Sequence, residues 1–90
     1  MAAYAPLVQI RSVYSAEWES LAFSVESGTS EWTLRVEETA TRRVLYTARR
    51  GGVAAAQVAA AEYGIFNVLG ASSRVTPEAL SSNLAWRRHL

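Results

Sequence analysis

At 90 residues, with half of them hydrophobic and 10% aromatic, the chain is long enough for one packed domain and too apolar to be wholly disordered. It has no cysteine, one histidine and no aspartate, which excludes disulfides, thiolate metal ligands and a Ser-His-Asp triad. Formal net charge is +1, with arginine supplying every cation and glutamate every acid, so long-range attraction to a polyanion is weak.

The expectation is a single folded unit without enzymatic activity, cofactor or metal. The pairs Glu17 with Glu19 and Glu37 with Glu38 read as solvated surface charge. The longest apolar stretch is too short and too alanine-rich to span a bilayer, and residues 1–6 lack the basic and apolar regions of a secretory signal. An intracellular protein with no membrane association is expected.

In chain order, Pro6, Leu7, Ile10, Val13, Tyr14 and Trp18 place apolar residues at helical spacing behind a first-turn proline, which predicts a short N-terminal helix. The alternative is a strand, because Val8, Ile10 and Tyr14 also alternate. From Leu21 the period is two: Leu21, Phe23 and Val25 form one strand, Gly28 to Ser30 a turn, and Trp32, Leu34 and Val36 a second strand. A polar connection over residues 37–41 leads to a third strand carrying Val44, Leu45, Tyr46, Thr47 and Ala48.

Gly51 and Gly52 end that strand. Residues 53–69 then predict a long alanine-rich helix with Ala54, Val58, Ala61, Ile65 and Val68 along its apolar stripe. After Gly70 and a linker, Thr76, Pro77 and Glu78 supply an N-cap, a first-turn proline and an acid, predicting a C-terminal helix over residues 77–88.

The resulting order resembles the double-stranded-RNA-binding domain family over residues 6–70. The residues that carry the resemblance are Ser27 and Gly28 closing the first strand, Trp32-Thr33-Leu34-Arg35-Val36, Arg43-Val44-Leu45-Tyr46, and Ala59-Ala60-Ala61-Glu62 in the helix. The resemblance implies an α+β fold of α-β-β-β-α order: a three-stranded antiparallel sheet with helices on one face, over residues 1–70. The extra C-terminal helix, in residues 71–90, packs on the same domain.

Members of that family grip duplex RNA at three regions. Here the first offers Gln9, Arg11 and Ser12 with no glutamate before Glu17. The second is a short loop, Gly28 to Glu31, without histidine. The third, where the family has a lysine cluster at the start of the last helix, reads Gly52, Val53, Ala54, Ala55, Ala56 and Gln57 with no cation.

These departures favour a module that has kept the scaffold and binds protein, either a partner or a second copy, within an RNA-processing or ribonucleoprotein assembly. The candidate interaction residues are Val44, Leu45, Tyr46 and Thr47 on an edge strand, with Val53 and Val58 on the helix. The competing reading is that Val53 merely packs against the first helix or the C-terminal helix.

The first alternative is weak duplex-RNA binding through Arg42, Arg43, Arg49 and Arg50, helped by Arg11, Arg74, Arg87 and Arg88 if folding gathers them on one face. A second alternative, should residues 7–14 form a strand, is a single-stranded nucleic-acid module whose Trp18, Phe23, Trp32 and Tyr46 stack bases.

Overall fold

The computed structural model describes residues 13–89. The chain forms four consecutive antiparallel strands, β1 (Val13–Trp18), β2 (Leu21–Ser27), β3 (Trp32–Glu38) and β4 (Val44–Arg50). A helix, α1 (Val53–Gly64), follows and continues as a π-helical turn (Ile65–Leu69). A short helix, α2 (Pro77–Asn83), and a final strand, β5 (Arg87–His89), complete the fold.

The sheet has five strands in the order β4-β3-β2-β1-β5. This corrects the three-stranded sheet and the α-β-β-β-α order expected from the sequence. The α+β character holds.

Two segments account for the difference. Val13–Trp18, assigned above to an N-terminal helix, is a strand joined to β2 by the two-residue turn Glu19-Ser20. Tyr14, Ala16 and Trp18 face the core while Val13, Ser15 and Glu17 face the other way. The 3.6-residue spacing of Val13, Tyr14 and Trp18 was a coincidence of a period-two pattern whose middle member is a small alanine. Residues 6–12 of that reading lie outside the described residues.

The second segment is the C-terminus, where the helix ends at Asn83 rather than 88. Leu84 turns extended (φ −72°, ψ 138°) and Trp86 is carried against Phe23 with ring centroids 6.2 Å apart. Arg87, Arg88 and His89 then pair with Ser15, Tyr14 and Val13. Pairing with the free edge of β1 decides their conformation, since their own strand propensity is low.

Both helices lie on one side of the sheet, giving two layers around one core. The sheet contributes the bulk: Phe23, Val25, Leu34 and Val36 are essentially fully buried. The helix contributes small residues, Ala56, Ala59, Ala60, Ala61 and Gly64. This buried face differs from the expected stripe, for Ala54 and Val68 are exposed and Val58 is half-buried.

The physical reason is distance: a helix faced with alanine and glycine approaches a sheet closely, and large sheet side chains then fill the layer. Gly64 marks the tightest point, where an added Cβ would meet the Trp18 ring at 2.7 Å. Leu80 and Leu84 close the core from the α2 end, and Thr76 Oγ1 caps α2 by accepting from the Ala79 N–H at 3.1 Å.

Candidate functional site

Strand β4 is an outer strand of the sheet, paired to β3 on one side only. Its register is interrupted between Val36 and Glu37, which pair with Tyr46 and Val44, so Leu45 is the extra residue of a bulge. Leu45 turns partly into the core, and Val44 is 50% exposed on the sheet face away from the helices. Beyond the bulge, residues 46–50 run regularly and leave one row of backbone groups without a strand partner among the described residues.

Of the candidate residues, Tyr46 is the best placed. It faces the helix layer from the edge strand and stacks on Tyr63 of α1, with ring centroids 5.0 Å apart and an interplanar angle of 19°. The two rings form one wall of a groove of about 520 Å³ between β4 and the end of α1, completed by Ala59, Glu62, Phe66 and Asn67. Phe66 is 73% exposed, an unusual state for a phenyl ring.

Asn67 donates to the Tyr63 carbonyl at 2.9 Å, which pins the π-helical turn carrying Phe66. Thr47 is exposed on the opposite sheet face. Val53 is half-buried and packs against the core cluster, and Val58 is half-buried along α1. Sequence reasoning missed Tyr63 and Phe66 because they lie off the stripe assumed for the helix.

The four arginines bracketing β4 do not form one patch. Arg42 lies in the β3–β4 turn at φ 63° and pairs with Glu37 Oε1 at 3.3 Å. Arg49, about 20 Å along the strand at 3.3 Å per residue, approaches Glu31 at 4.0 Å. Arg50 alternates to the other face and donates from Nη1 to the Arg49 carbonyl at 2.7 Å. Arg43, beside Arg42, has no acidic partner within 4.0 Å among the described residues.

Nor do the aromatics form a stacking platform. Phe23 is 1% exposed, and Trp18 and Trp32 pack against the core on the covered face.

The sheet face opposite the helices carries a second concavity, of about 590 Å³. Its floor is small, with Ser15, Ala22 and Ser24, and its rim is charged, with Glu17, Arg35, Glu37, Arg42 and Arg87. Glu37 is largely enclosed and holds two guanidiniums, Arg42 at 3.3 Å and Arg35 at 3.6 Å. His89 Nε2 and Ser15 Oγ are hydrogen-bonded at 2.7 Å, tying β5 to β1 on this face.

Among the described residues no three imidazole or carboxylate side chains gather as a metal-ligand set, and no helix is long and apolar enough to cross a membrane. No protein-family model, curated protein or solved structure matches the chain.

Proposed function

We infer that this chain is a non-catalytic interaction module that takes up an extended segment of a partner protein along β4. The observation that carries the reading is the coincidence of a strand edge that is unpaired among the described residues with an aromatic groove on its helix side. A segment added to β4 gains main-chain hydrogen bonds from the edge. Because strand side chains alternate, every second one faces the groove formed by Tyr46, Tyr63 and Phe66.

Charge selects the occupant. Arg42 and Arg43 precede the strand and Arg49 and Arg50 end it, with no acid between them in sequence; Glu37 pairs with Arg42 and Glu31 approaches Arg49, which leaves Arg43 and Arg50 with no acidic partner within 4.0 Å among the described residues. A second copy docking β4 antiparallel on β4 brings the arginines of one strand's start near those of the other's end. Each like-charge contact at ~7 Å costs about 0.6 kcal/mol even at the dielectric of water. A partner segment with an apolar centre and acidic ends meets the same cations favourably. A place in a ribonucleoprotein assembly rests on the family resemblance alone.

The test is fluorescence anisotropy with labelled eight-residue peptides of alternating apolar and threonine residues, ended by either glutamates or lysines. The glutamate-ended set binds, Phe66→Ala weakens it about tenfold, and the β4 backbone amides gain exchange protection. Equal binding of the lysine-ended set overturns the charge argument. Protection of β4 in a concentration-dependent dimer without peptide favours self-pairing, and capture of duplex RNA with a steep salt slope favours the arginine-mediated alternative.

A further inference from the structure

The register of the sheet places four residues in one transverse row on the open face. Arg87 of β5 pairs with Ser15 of β1, Ser15 pairs with Ser24 of β2, and Ser24 pairs with Arg35 of β3. Two arginines thus flank two serines across three strand spacings, about 14 Å in all. All four line the same concavity of about 590 Å³.

The short serines leave depth between the long arginines; the Ser24 hydroxyl can donate as well as accept, and the Ser15 hydroxyl, bonded to His89 Nε2 at 2.7 Å, keeps its remaining capacity for a ligand. We propose that this row is a binding site for a compact oxyanion, a phosphate monoester or carboxylate group, held between Arg35 and Arg87 above the Ser15 and Ser24 hydroxyls.

The charges lining the concavity favour an anion and limit its size. Arg35, Arg42 and Arg87 line the concavity against Glu17 and Glu37, leaving one cation in excess. Glu37 engages Arg35 and Arg42 together, so one carboxylate is shared by two guanidiniums and their combined charge is only half balanced. Arg87 has no acidic partner within 4.0 Å among the described residues.

Arg35 remains half exposed despite its ion pair, and its fork is free to turn a second pair of N–H groups toward a ligand. An excess of one charge suits a single head group. It does not suit a long polyanion, which would also pass over Glu17 and over Glu26, on the same face of β2. The site is on the opposite sheet face from the Tyr46 groove and does not depend on the peptide-binding reading.

The test is a ¹⁵N-resolved NMR titration of the full chain with inorganic phosphate and, separately, with acetate, at ionic strength held constant with chloride. Either probe should give saturable shifts centred on Ser15, Ser24, Arg35 and Arg87, and the tighter of the two identifies the source of the oxyanion. Arg87→Gln and Arg35→Gln should each raise the dissociation constant at least tenfold. Ser24→Val, which fills the floor without touching a charge, should do the same while cross-strand contacts between β1 and β5 persist.

Shifts that grow without saturation for both probes overturn the proposal. So does an unchanged dissociation constant in Arg87→Gln or Ser24→Val. Shifts at Ser15, Ser24, Arg35 and Arg87 with duplex RNA but absent with both small probes assign the face to a polyanion and overturn it as well.

Discussion

Replacing Gly64 with alanine separates the demands of the helix from those of the sheet beneath it. In an isolated helix the change is favourable by about 1 kcal/mol, because glycine is that much poorer than alanine in a helix interior. In the folded chain the new Cβ lies 2.7 Å from Cζ3 and 3.1 Å from Cε3 of Trp18, and 3.7 Å from the Phe23 ring. The tryptophan ring cannot fold away as a flexible chain could, so β1 or α1 has to move, and overpacking of this kind costs roughly 1–3 kcal/mol.

The sheet wins, with a net destabilisation of about 1 kcal/mol. That corresponds to a fall in Tm of roughly 4–8 °C for a domain of this size. Chemical denaturation of a double-mutant cycle measures it: in a Trp18→Leu background the clash is gone and Gly64→Ala should become stabilising, giving a coupling energy of about 1–2 kcal/mol. Gly64→Ala that stabilises both backgrounds equally would refute the close approach of α1 to β1 and with it the account of the alanine-faced helix.

The groove and the sheet ends yield further expectations. Phe66→Ala should leave stability within about 0.5 kcal/mol, since the ring is 73% exposed, so peptide binding lost in this variant cannot be ascribed to unfolding; a large drop in denaturation midpoint would contradict the exposed ring. Glu19 occupies the first position of the β1–β2 turn at φ 55°, a conformation that costs a residue with a Cβ about 1 kcal/mol or more. Glu19→Gly should therefore raise the unfolding free energy by roughly several tenths of a kcal/mol to about 1 kcal/mol, read from denaturant melts, and a loss of stability would point to a different turn. Trp86→Ala removes the ring against Phe23 and the Nε1–H bond to the Ser81 carbonyl at 3.2 Å. It should cost about 2–3 kcal/mol, the low end for a large aromatic because the ring is only partly buried, and should expose the Ser15 edge of β1 to hydrogen exchange; unchanged exchange at β1 would mean that β5 docks without its tryptophan.

What could be read from the sequence followed residue size. Leu21, Phe23 and Val25, then Trp32, Leu34 and Val36, alternate large apolar side chains with polar or small ones, and both segments are strands with those residues facing the core. The alanine-rich segment is helical over residues 53–69, with its last five residues in a wider turn. Where the pattern relied on small or charged residues it misled. The buried face of α1 is alanine and glycine, which hydropathy weights barely separate from the exposed alanines Ala54 and Ala55.

Arg87, Arg88 and His89 carry the composition of a helix C-terminus and form a strand only because β1, sixty residues and more away in sequence, presents an edge. The row of Arg87, Ser15, Ser24 and Arg35 is invisible for the same reason. Its members come from four strands, and only the observed register aligns them.

The two ends of the sheet differ in a way that bears on which one a partner can use. At one end β5 is three residues long, and all three, Arg87, Arg88 and His89, are exposed and basic or imidazole-bearing. A short charged strand is a poor template for further pairing, and such strands protect sheet edges in many proteins. At the other end β4 is seven residues long, and it is blunted towards its two ends, by the bulge at Leu45 and by the charges of Arg49 and Arg50. Between them Tyr46, Thr47 and Ala48 pair regularly with β3 and are flanked on the helix side by aromatic rings, an uncharged stretch that β5 lacks. Moving the protection across tests this: Thr47→Lys places a charge at the centre of the regular stretch and should abolish peptide uptake while leaving the folded population intact, whereas binding that survives Thr47→Lys would locate the interaction elsewhere on the molecule.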